Sequence, residues 1–288
     1  MPTNEQRRAA AKRKLERQLT NRAERARRRK QLTIAGSVLG VVVAVAAATG
    51  VYFLTKGEDK KDDTAAPEAS LTAAAPPAAE PKADLVNCTY SDSQKPADKP
   101  VTKPVKTEVP TTGANARISM SMETSAGPIG LTLNNAESPC TVNSFVSLAD
   151  QKYFDGTSCH RMTTGEGLKV LQCGDPTGTG MGGPGYQFAN EYPTDQYAAG
   201  DPSSQQAVAY KRGVLAMANA GPGTNGSQFF IVYGDSELPP QYTIFGSVDE
   251  NTMATLDKIA AGGSDDANGP GDGRPKTAVE IQSVMLDN

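Results

Sequence analysis

One histidine and one arginine stand out among the residues whose types could do chemistry. His160 is the only histidine in the chain, and Arg161 follows it in the segment FDGTSCHRM, residues 154–162. An imidazole can act as a general base, and a guanidinium is a permanently charged hydrogen-bond donor. No G-x-S-x-G motif occurs, so a Ser/His/acid triad would have to use His160. A packed or hydrogen-bonded structural histidine is the simpler interpretation, and most histidine-based hydrolases are excluded.

A second segment has the composition of a ligand-binding loop between strands. Residues 213–233 read GVLAMANAGPGTNGSQFFIVY, an apolar strand that enters a Gly/Pro/Asn-rich loop and returns as an apolar strand. The pattern predicts two strands whose connection contains Ala218 and Asn219. An ordinary β–β connection has the same composition, so this segment alone assigns no function.

Nucleotide and metal chemistry find no support in the motifs. The glycine-rich residues 174–185, GDPTGTGMGGPG, are followed neither by Gly-Lys-Ser/Thr nor by a helical pattern, so they do not form a phosphate-binding loop. The four cysteines form no C-x-x-C pair and show no zinc-ligand spacing. We therefore expect no cofactor and no metal.

The elements that must position these segments are short strands. Ile118, Met120 and Met122 alternate with polar residues, and residues 128–133 alternate in the same way after a turn. This period of two predicts a β-hairpin. Later apolar segments between Gly/Pro-rich connections predict further strands at residues 169–173, 213–217, 227–233, 242–248 and 278–286.

Two helices complete the predicted domain. Ser138 and Pro139 are an N-cap and first-turn signal for one helix, and a second helical pattern occupies residues 251–262. About eight short strands with mostly local connections predict a mainly β fold, an antiparallel barrel whose open ends are covered by the two helices. The domain is expected to occupy residues 116–288.

The charge distribution divides the N-terminal part of the chain. Twelve of the 29 Lys and Arg residues lie in residues 1–31, with only three acidic residues, although the whole chain has a net charge of −3. Residues 32–54 carry no charge, and a helix of that length spans a hydrocarbon core of about 30 Å. We predict an uncleaved transmembrane anchor, with residues 1–31 in the cytoplasm and the chain after residue 54 outside.

The segment after the anchor has little to bury. Residues 55–115 are dominated by Ala, Pro, Lys, Asp and Thr, which predicts a disordered, partly extended linker. Cys88 is the exception, because a cysteine exported to an oxidising space forms disulfides. We expect the region around Cys88, residues 85–90, to be pinned to the domain.

Four separated motifs together resemble the cyclophilin-type peptidyl-prolyl cis-trans isomerases. They are FDGTSCHR (154–161), QCGDPTGTGMGGPGYQFANE (172–191), GVLAMANAGPGTNGSQFF (213–230) and YTIFGSV (242–248). In order and approximate spacing they cover most of residues 117–286. The resemblance implies an eight-stranded barrel that isomerises Xaa-Pro bonds. The single anchor and Cys88 further resemble the membrane-anchored, exported cyclophilins of actinobacteria.

The resemblance also implies a role for individual residues. Arg161 occupies the place of the catalytic arginine, and Gln172 that of the glutamine beside it. Asn219 matches the asparagine whose main chain holds the substrate backbone. The remaining substrate-binding residues implied for the proline pocket are Ala218, Val170, Phe230, Leu238 and Tyr242.

Two departures from the family pattern affect ligand binding. The connection before Gln172 is longer than in the compact family pattern, and Lys169 stands where a pocket phenylalanine is usual. We expect Leu168 or Met162 to fill that space instead. The tryptophan that helps many relatives bind cyclosporin is absent, with Glu237 nearest its place, so we expect weak or no cyclosporin binding.

The resemblance implies a pairing for the cysteines. If two strands form the family hairpin, Arg161 lies opposite Leu171, and the same register brings two cysteines opposite each other. Four cysteines allow three connectivities. The pairing implied is Cys159–Cys173 and Cys88–Cys140.

These observations predict a peptidyl-prolyl isomerase that acts on proline-containing peptides and unfolded proteins at or beyond the membrane, as a monomeric domain with no nucleic-acid partner. One alternative is a prolyl-peptide binding or chaperone module, in which the altered wall at Lys169 has weakened turnover. Another treats the basic residues 1–31 as the functional part, binding nucleic acid or anionic lipid, with the barrel as cargo.

Overall fold

The computed structural model describes residues 73–287 of the chain. Within this range there are two α-helices, α1 (Pro139–Asp150) and α2 (Met253–Gly262). The strands are β1 (Leu85–Asn87), β2 (Ser91–Asp92), β3 (Glu108–Pro110), β4 (Ile118–Thr124), β5 (Gly127–Leu133), β6 (Thr157–Ser158), β7 (Arg161–Thr163), β8 (Lys169–Cys173), β9 (Tyr186–Gln187), β10 (Val208–Tyr210), β11 (Val214–Met217), β12 (Phe229–Gly234), β13 (Ser236–Leu238), β14 (Ile244–Val248), β15 (Asp272–Gly273) and β16 (Glu280–Leu286). Short 3-10 helices occupy Gly113–Asn115, Thr194–Gln196, Pro202–Gln205 and Glu250–Thr252.

Ten of these strands form one sheet, in the order β15-β7-β8-β12-β11-β14-β5-β4-β16-β6. Strands β6 and β7 are separated in the chain only by Cys159 and His160, yet β7 is the second strand of this order and β6 is the last. The sheet therefore curls until its two ends approach each other. The mainly β prediction is confirmed. The expected number of eight strands is too low for this sheet, because β6 and β15 have only two residues each and leave no alternating pattern to read.

The predicted hairpin is confirmed by the pairing of β4 with β5. The two strands are antiparallel over their whole length, from Ile118 opposite Leu133 to Thr124 opposite Gly127. Met120 and Leu131 face each other and are fully buried, as the alternation predicts. The apolar face of the hairpin therefore lies in the interior of the curled sheet.

Both predicted helices are present and pack against this interior. Helix α1 begins with Ser138 as its N-cap and Pro139 in its first turn. Its orphan N–H groups are satisfied by the buried side chain of Glu191, whose carboxylate accepts hydrogen bonds from the N–H groups of Cys140 and Thr141 at 3.0 and 2.8 Å. A carboxylate at a helix N-terminus also interacts favourably with the helix dipole.

Alternation along the strands separates the inner face of the sheet from the outer face. In β12, Phe229 and Ile231 belong to the main core, whereas Phe230 and Val232 belong to a second apolar cluster. Successive side chains of a strand point to opposite faces. The second cluster therefore lies on the outer face of the sheet.

The predicted disordered linker needs correction over its described part, residues 73–115. This part forms β1, β2 and β3, and β2 pairs with β9 of the domain. Cys88, Tyr90 and Val109 are buried in the main core. Burial of these side chains and the disulfide of Cys88 hold a segment whose average composition is that of a tether.

The predicted anchor, residues 32–54, and the basic segment, residues 1–31, lie outside the described residues. In residues 73–287 no helix has both the length and the apolar character needed to cross a bilayer.

Candidate active site

Three of the predicted site residues, Arg161, Gln172 and Phe230, lie in one row across neighbouring strands. Arg161 of β7 is opposite Gln172 of β8, Gln172 is opposite Phe230 of β12, and Phe230 is opposite Ala216 of β11. Residues directly opposite each other share a face of the sheet. Neighbouring strands are about 4.8 Å apart, so Arg161 and Phe230 are separated by about 10 Å along the row.

The outer apolar cluster begins at Phe230. Phe230 and Val170 are 4% and 3% exposed, so the base of the cluster is dry. Leu238 and Tyr242 are half-buried against them, and the rings of Phe230 and Tyr242 meet edge to face with centroids 5.8 Å apart. Ala218 borders the same cluster. The structure thus brings together all five residues that the family resemblance implied for the proline pocket.

The departure at Lys169 is resolved by its neighbour in the chain. Leu168 packs against the outer cluster, whereas Met162 is fully buried in the main core on the other face. Lys169 is exposed, and its methylene groups lie over Gly234. Of the two side chains expected to replace the missing phenylalanine, Leu168 is therefore the one in position.

The guanidinium of Arg161 is held from one side by a carboxylate. Its Nε donates to both carboxylate oxygens of Asp272, at 2.9 and 3.1 Å, and its Nη2 donates to Oδ2 at 2.6 Å. Its Nη1 faces Oε1 of Gln172 at 3.4 Å. These hydrogen bonds to Asp272 raise the pKa of Arg161 above its usual value, so the group remains charged.

Gln172 is itself oriented by a second glutamine. Its Nε2 donates to Oε1 of Gln228 at 2.9 Å, and Nε2 of Gln228 donates to the carbonyl oxygen of Gly182 at 2.9 Å. Because an amide nitrogen cannot accept, this chain of hydrogen bonds turns the Gln172 oxygen toward Arg161.

The side chain of Asn219 forms hydrogen bonds with the domain, whereas its main-chain groups do not. Its Nδ2 donates to the carbonyl oxygen of Gln241 at 2.9 Å and to Oδ1 of Asn225 at 3.2 Å, while its Oδ1 accepts from the N–H of Gly221 at 3.1 Å. Among residues 73–287, no partner is bonded to the N–H or C=O of Asn219. The loop thus presents an unpaired backbone N–H and C=O at Asn219, next to Ala218.

A cleft of about 690 Å³ opens on this side of the row. Gln172, Asn219 and Gln228 line its inner wall, and the glycine-rich residues 180–185 line another. The outer wall is formed by residues 93–98, here called the strap.

The strap is fixed at both ends. The N–H of Ser93 donates to the carbonyl oxygen of Gly185, and the N–H of Asp98 donates to that of Gly183, each at 3.0 Å. Gly185 leaves no room for a side chain, because an added Cβ would lie 2.7 Å from the nitrogen of Ala97. The cleft is therefore bounded by a wall of fixed position.

His160 packs as a structural residue. Its side chain is 9% exposed, and neither ring nitrogen has a hydrogen-bond partner among the described residues. Burial lowers the pKa of His160 below its usual value. A buried, neutral imidazole agrees with the structural interpretation of this histidine.

The cysteines pair as the resemblance implied, as Cys88–Cys140 and Cys159–Cys173. The register behind that inference is different by one residue, because Arg161 lies opposite Gln172 and not opposite Leu171. The ladder is irregular just before β7, where the N–H of His160 also bonds to the carbonyl oxygen of Gln172. This irregularity allows both the observed register and the disulfide.

Two residues of the site, Asp272 and Gln228, were missed in the sequence. Asp272 is 111 residues from Arg161 and lies in a loop rich in Asp and Gly, where nothing distinguishes one acidic residue from another. Gln228 had a signal, since it directly precedes the strand that carries Phe230. Within residues 73–287, no group of three or more His, Cys, Asp or Glu side chains is placed to hold a metal ion.

Comparisons with known proteins identify the family. Residues 119–286 match the family described as "Cyclophilin type peptidyl-prolyl cis-trans isomerase/CLD". The chain is 54% identical over 302 aligned positions to "Probable peptidyl-prolyl cis-trans isomerase B" of Mycobacterium leprae (strain TN), covering 100% of both chains. It is 54% identical over 296 positions to the protein of the same name from Mycobacterium tuberculosis (strain ATCC 25618 / H37Rv), covering 100% of this chain and 95% of that one.

A solved structure of a Cryptosporidium parvum cyclophilin type peptidyl-prolyl cis-trans isomerase, in the presence of the dipeptide ala-pro, is 30% identical with a TM-score of 0.47. It covers 59% of this chain and 99% of its own. The family match extends over more than half of the sequence, and the Mycobacterium leprae relative is similar from end to end. The chain therefore belongs to the cyclophilin-type peptidyl-prolyl cis-trans isomerases.

Proposed function

We propose that this isomerase twists Xaa-Pro bonds of exported and cell-envelope proteins with Arg161 as its catalytic residue. The rotation has a barrier of about 18–20 kcal/mol because the amide nitrogen shares its lone pair with the carbonyl. In the twisted state the lone pair returns to the nitrogen. No covalent bond breaks, so the reaction needs only a donor at that nitrogen and a grip on the proline ring.

The row of cross-strand neighbours is the observation that carries this proposal. Phe230 and Val170 supply a dry apolar surface for the ring, with Leu168, Leu238 and Tyr242 around it. Arg161 stands two strands away with one nitrogen, Nη1, turned toward the row. A proline held on Phe230 places its amide within reach of this donor, which stabilises the twisted amide more than the planar one.

Asn219 and the cleft bind the part of the substrate that precedes the proline. The unpaired N–H and C=O of Asn219 can take an extended peptide as another strand would. The cleft beside it has room for further side chains on the same side. One end of the bond is thereby fixed while the other rotates.

We further propose that the enzyme is tethered to the outer face of the cell membrane. The support is the uncharged stretch at residues 32–54 and the basic residues 1–31 before it. Two disulfides in the described part suit an oxidising compartment. Fusion of a compartment-sensitive reporter after residue 60 and after residue 288 tests the orientation. Reporter activity typical of the cytoplasm at either position would contradict it.

The catalytic assignment is tested by Arg161→Lys and Arg161→Ala in the full chain, purified in a mild detergent. Lysine keeps the charge and loses the planar fork. We expect both variants to lower kcat/KM for an Ala-Pro peptide at least about tenfold, about 1.4 kcal/mol. The matched control is Arg212→Ala, since Arg212 also pairs with an aspartate, Asp257, on the surface.

Exchange spectroscopy by NMR measures the rate without a coupling protease. Wild-type turnover in a folded Arg161→Ala variant would remove Arg161 from the mechanism. The chaperone alternative would be supported by a different result. In that case the wild type turns over slowly, and the wild type and Arg161→Ala protect an unfolding client protein equally well.

A further inference from the structure

The loop that follows helix α2 delivers a carboxylate to the catalytic arginine. Strand β15 adds to the edge of the sheet beside β7, with Asp272 opposite Thr163 and Gly273 opposite Met162. The N–H of Asn268 donates to the carbonyl oxygen of Asp272 at 3.0 Å, and its side chain donates to Oδ1 at 3.2 Å. Asp272 is therefore fixed by its own backbone ladder before it contacts Arg161.

The loop is closed tightly behind this carboxylate. The side chain of Asp265 accepts hydrogen bonds from the N–H groups of Ala267 and Arg274. A Cβ added at Gly273 would lie 2.1 Å from Oδ1 of Asp265. The backbone at Gly273 thus cannot move toward the rest of the loop, and the hydrogen bond from Asn268 helps to orient the carboxylate of Asp272.

The contact with Asp272 determines which N–H groups of Arg161 remain available. A guanidinium has five N–H donors. The fork from Nε and Nη2 to the carboxylate uses the edge that faces away from Gln172. The edge at Nη1 faces Gln172, which continues the row toward Phe230.

We propose that Asp272 is a positioning residue, which locks the guanidinium so that Nη1 is presented to the substrate amide. The proposal rests on Arg161 being the catalytic residue. Without the carboxylate, an arginine side chain that is 35% exposed rotates about its long stem and meets the twisted amide only part of the time. The cost then falls on the chemical step, because proline binding on the outer cluster does not involve Asp272.

If Asp272 had a purely structural role, its replacement would change the stability of the fold and not kcat. Asp272 is 29% exposed, and partly exposed ion pairs contribute little to stability. The chain contains a matched control in Arg212 and Asp257, where Nη1 and Nη2 donate to the two carboxylate oxygens at 2.8 and 3.0 Å. That pair is on the surface and takes no part in the row.

The experiment compares Asp272→Ala, Asp272→Asn, Asp272→Glu and Asp257→Asn in the full chain. We expect Asp272→Ala and Asp272→Asn to lower kcat about tenfold while KM stays within about twofold. Glutamate, which can still form a fork, should recover part of kcat. Asp257→Asn should leave both constants unchanged.

A second readout follows the guanidinium directly. In a 15N-edited NMR spectrum, the Nε–H of Arg161 should give a resonance protected from solvent exchange in the wild type and in Asp272→Glu, and less protected in Asp272→Asn, which keeps only one acceptor oxygen. The Asn variant has nearly the same shape as the wild type, so it remains informative if the Ala variant does not fold.

The outcomes separate this inference from the proposed function. Wild-type kcat in Asp272→Asn, a change confined to KM, or a glutamate variant no better than alanine would overturn the positioning role. An impaired Arg161→Lys variant alongside unaffected Asp272 variants would reject the positioning role alone. Normal turnover in a folded Arg161→Ala variant would reject the catalytic assignment itself.

Discussion

The hydrogen-bond chain from Gly182 through Gln228 and Gln172 to Arg161 predicts a specific pattern of non-additivity. Gln172→Leu removes the acceptor that faces Nη1 of Arg161. The distance to that acceptor is 3.4 Å, long for a hydrogen bond, so its loss should cost about 0.5–1.5 kcal/mol. This corresponds to a decrease in kcat/KM of roughly two- to tenfold.

Gln228→Leu tests the same chain one step further back. Leucine cannot accept the Nε2–H of Gln172, so the amide of Gln172 is free to turn its nitrogen toward Arg161. Two donors would then face each other. If Gln228 acts only through Gln172, its loss should have no effect once Gln172 is already leucine. The double variant should therefore be no slower than Gln172→Leu alone.

The assay is the same NMR exchange measurement, made on the wild type, both single variants and the double variant. The expected coupling energy equals the whole effect of Gln228→Leu, within the range of 0.5–3 kcal/mol known for residues in contact. Gln228 also lines the cleft. Additive effects would show that Gln228 contacts the substrate itself, and the reasoning from the hydrogen-bond chain would be refuted.

Three further predictions concern stability and ligand binding. Glu191→Ala leaves three donors at the start of α1 unpaired, two of them buried. It should cost about 3 kcal/mol, a fall in Tm of about 6–12 °C by circular dichroism. Glu137→Ala, at the same helix end, should cost less than about 0.5 kcal/mol. Burial works to raise the pKa of Asp175, but hydrogen bonds, chiefly from Thr177, lower it overall below 3.8. Its stabilisation is therefore complete above that pH and is lost as pH falls further, so Asp175→Asn should flatten the acid limb of a urea-unfolding series. Glu237→Trp should strengthen cyclosporin inhibition about tenfold, about 1.4 kcal/mol; unchanged inhibition would show that another residue limits binding.

The parts of the fold with regular periodicity could be predicted from the sequence. Alternation identified the β4–β5 hairpin, and the pair Ser138-Pro139 located the start of α1. The two-residue strands β6 and β15 could not be found, because the alternation of apolar and polar residues is visible only in a strand longer than two residues. The strap was missed for a related reason. Ser93 and Asp98 are held through backbone hydrogen bonds to Gly185 and Gly183, and backbone contacts leave no mark in the Lys/Pro-rich sequence around them.

The candidate site was predictable where motifs carry it and not where distant segments meet. Arg161, Gln172 and Phe230 all lie in motifs shared with the family, and the structure places them in one row. Asp272 comes from a loop whose composition indicates only turns. Its significance depends on the pairing of β15 with β7, which brings together residues more than a hundred positions apart in the chain.

The rigidity of the site follows from the alternation that separates the two faces of the sheet. Gln172 lies between Leu171 and Cys173, and Phe230 lies between Phe229 and Ile231, and all four neighbours are buried in the main core. The backbone that carries these outer-face side chains cannot shift without disturbing the close packing on the inner face. Isomerisation needs no nucleophile and no proton transfer, so its main demand is that a donor and an apolar surface stay at a constant separation. A curled sheet packed on one side meets that demand with the same strands that form its core.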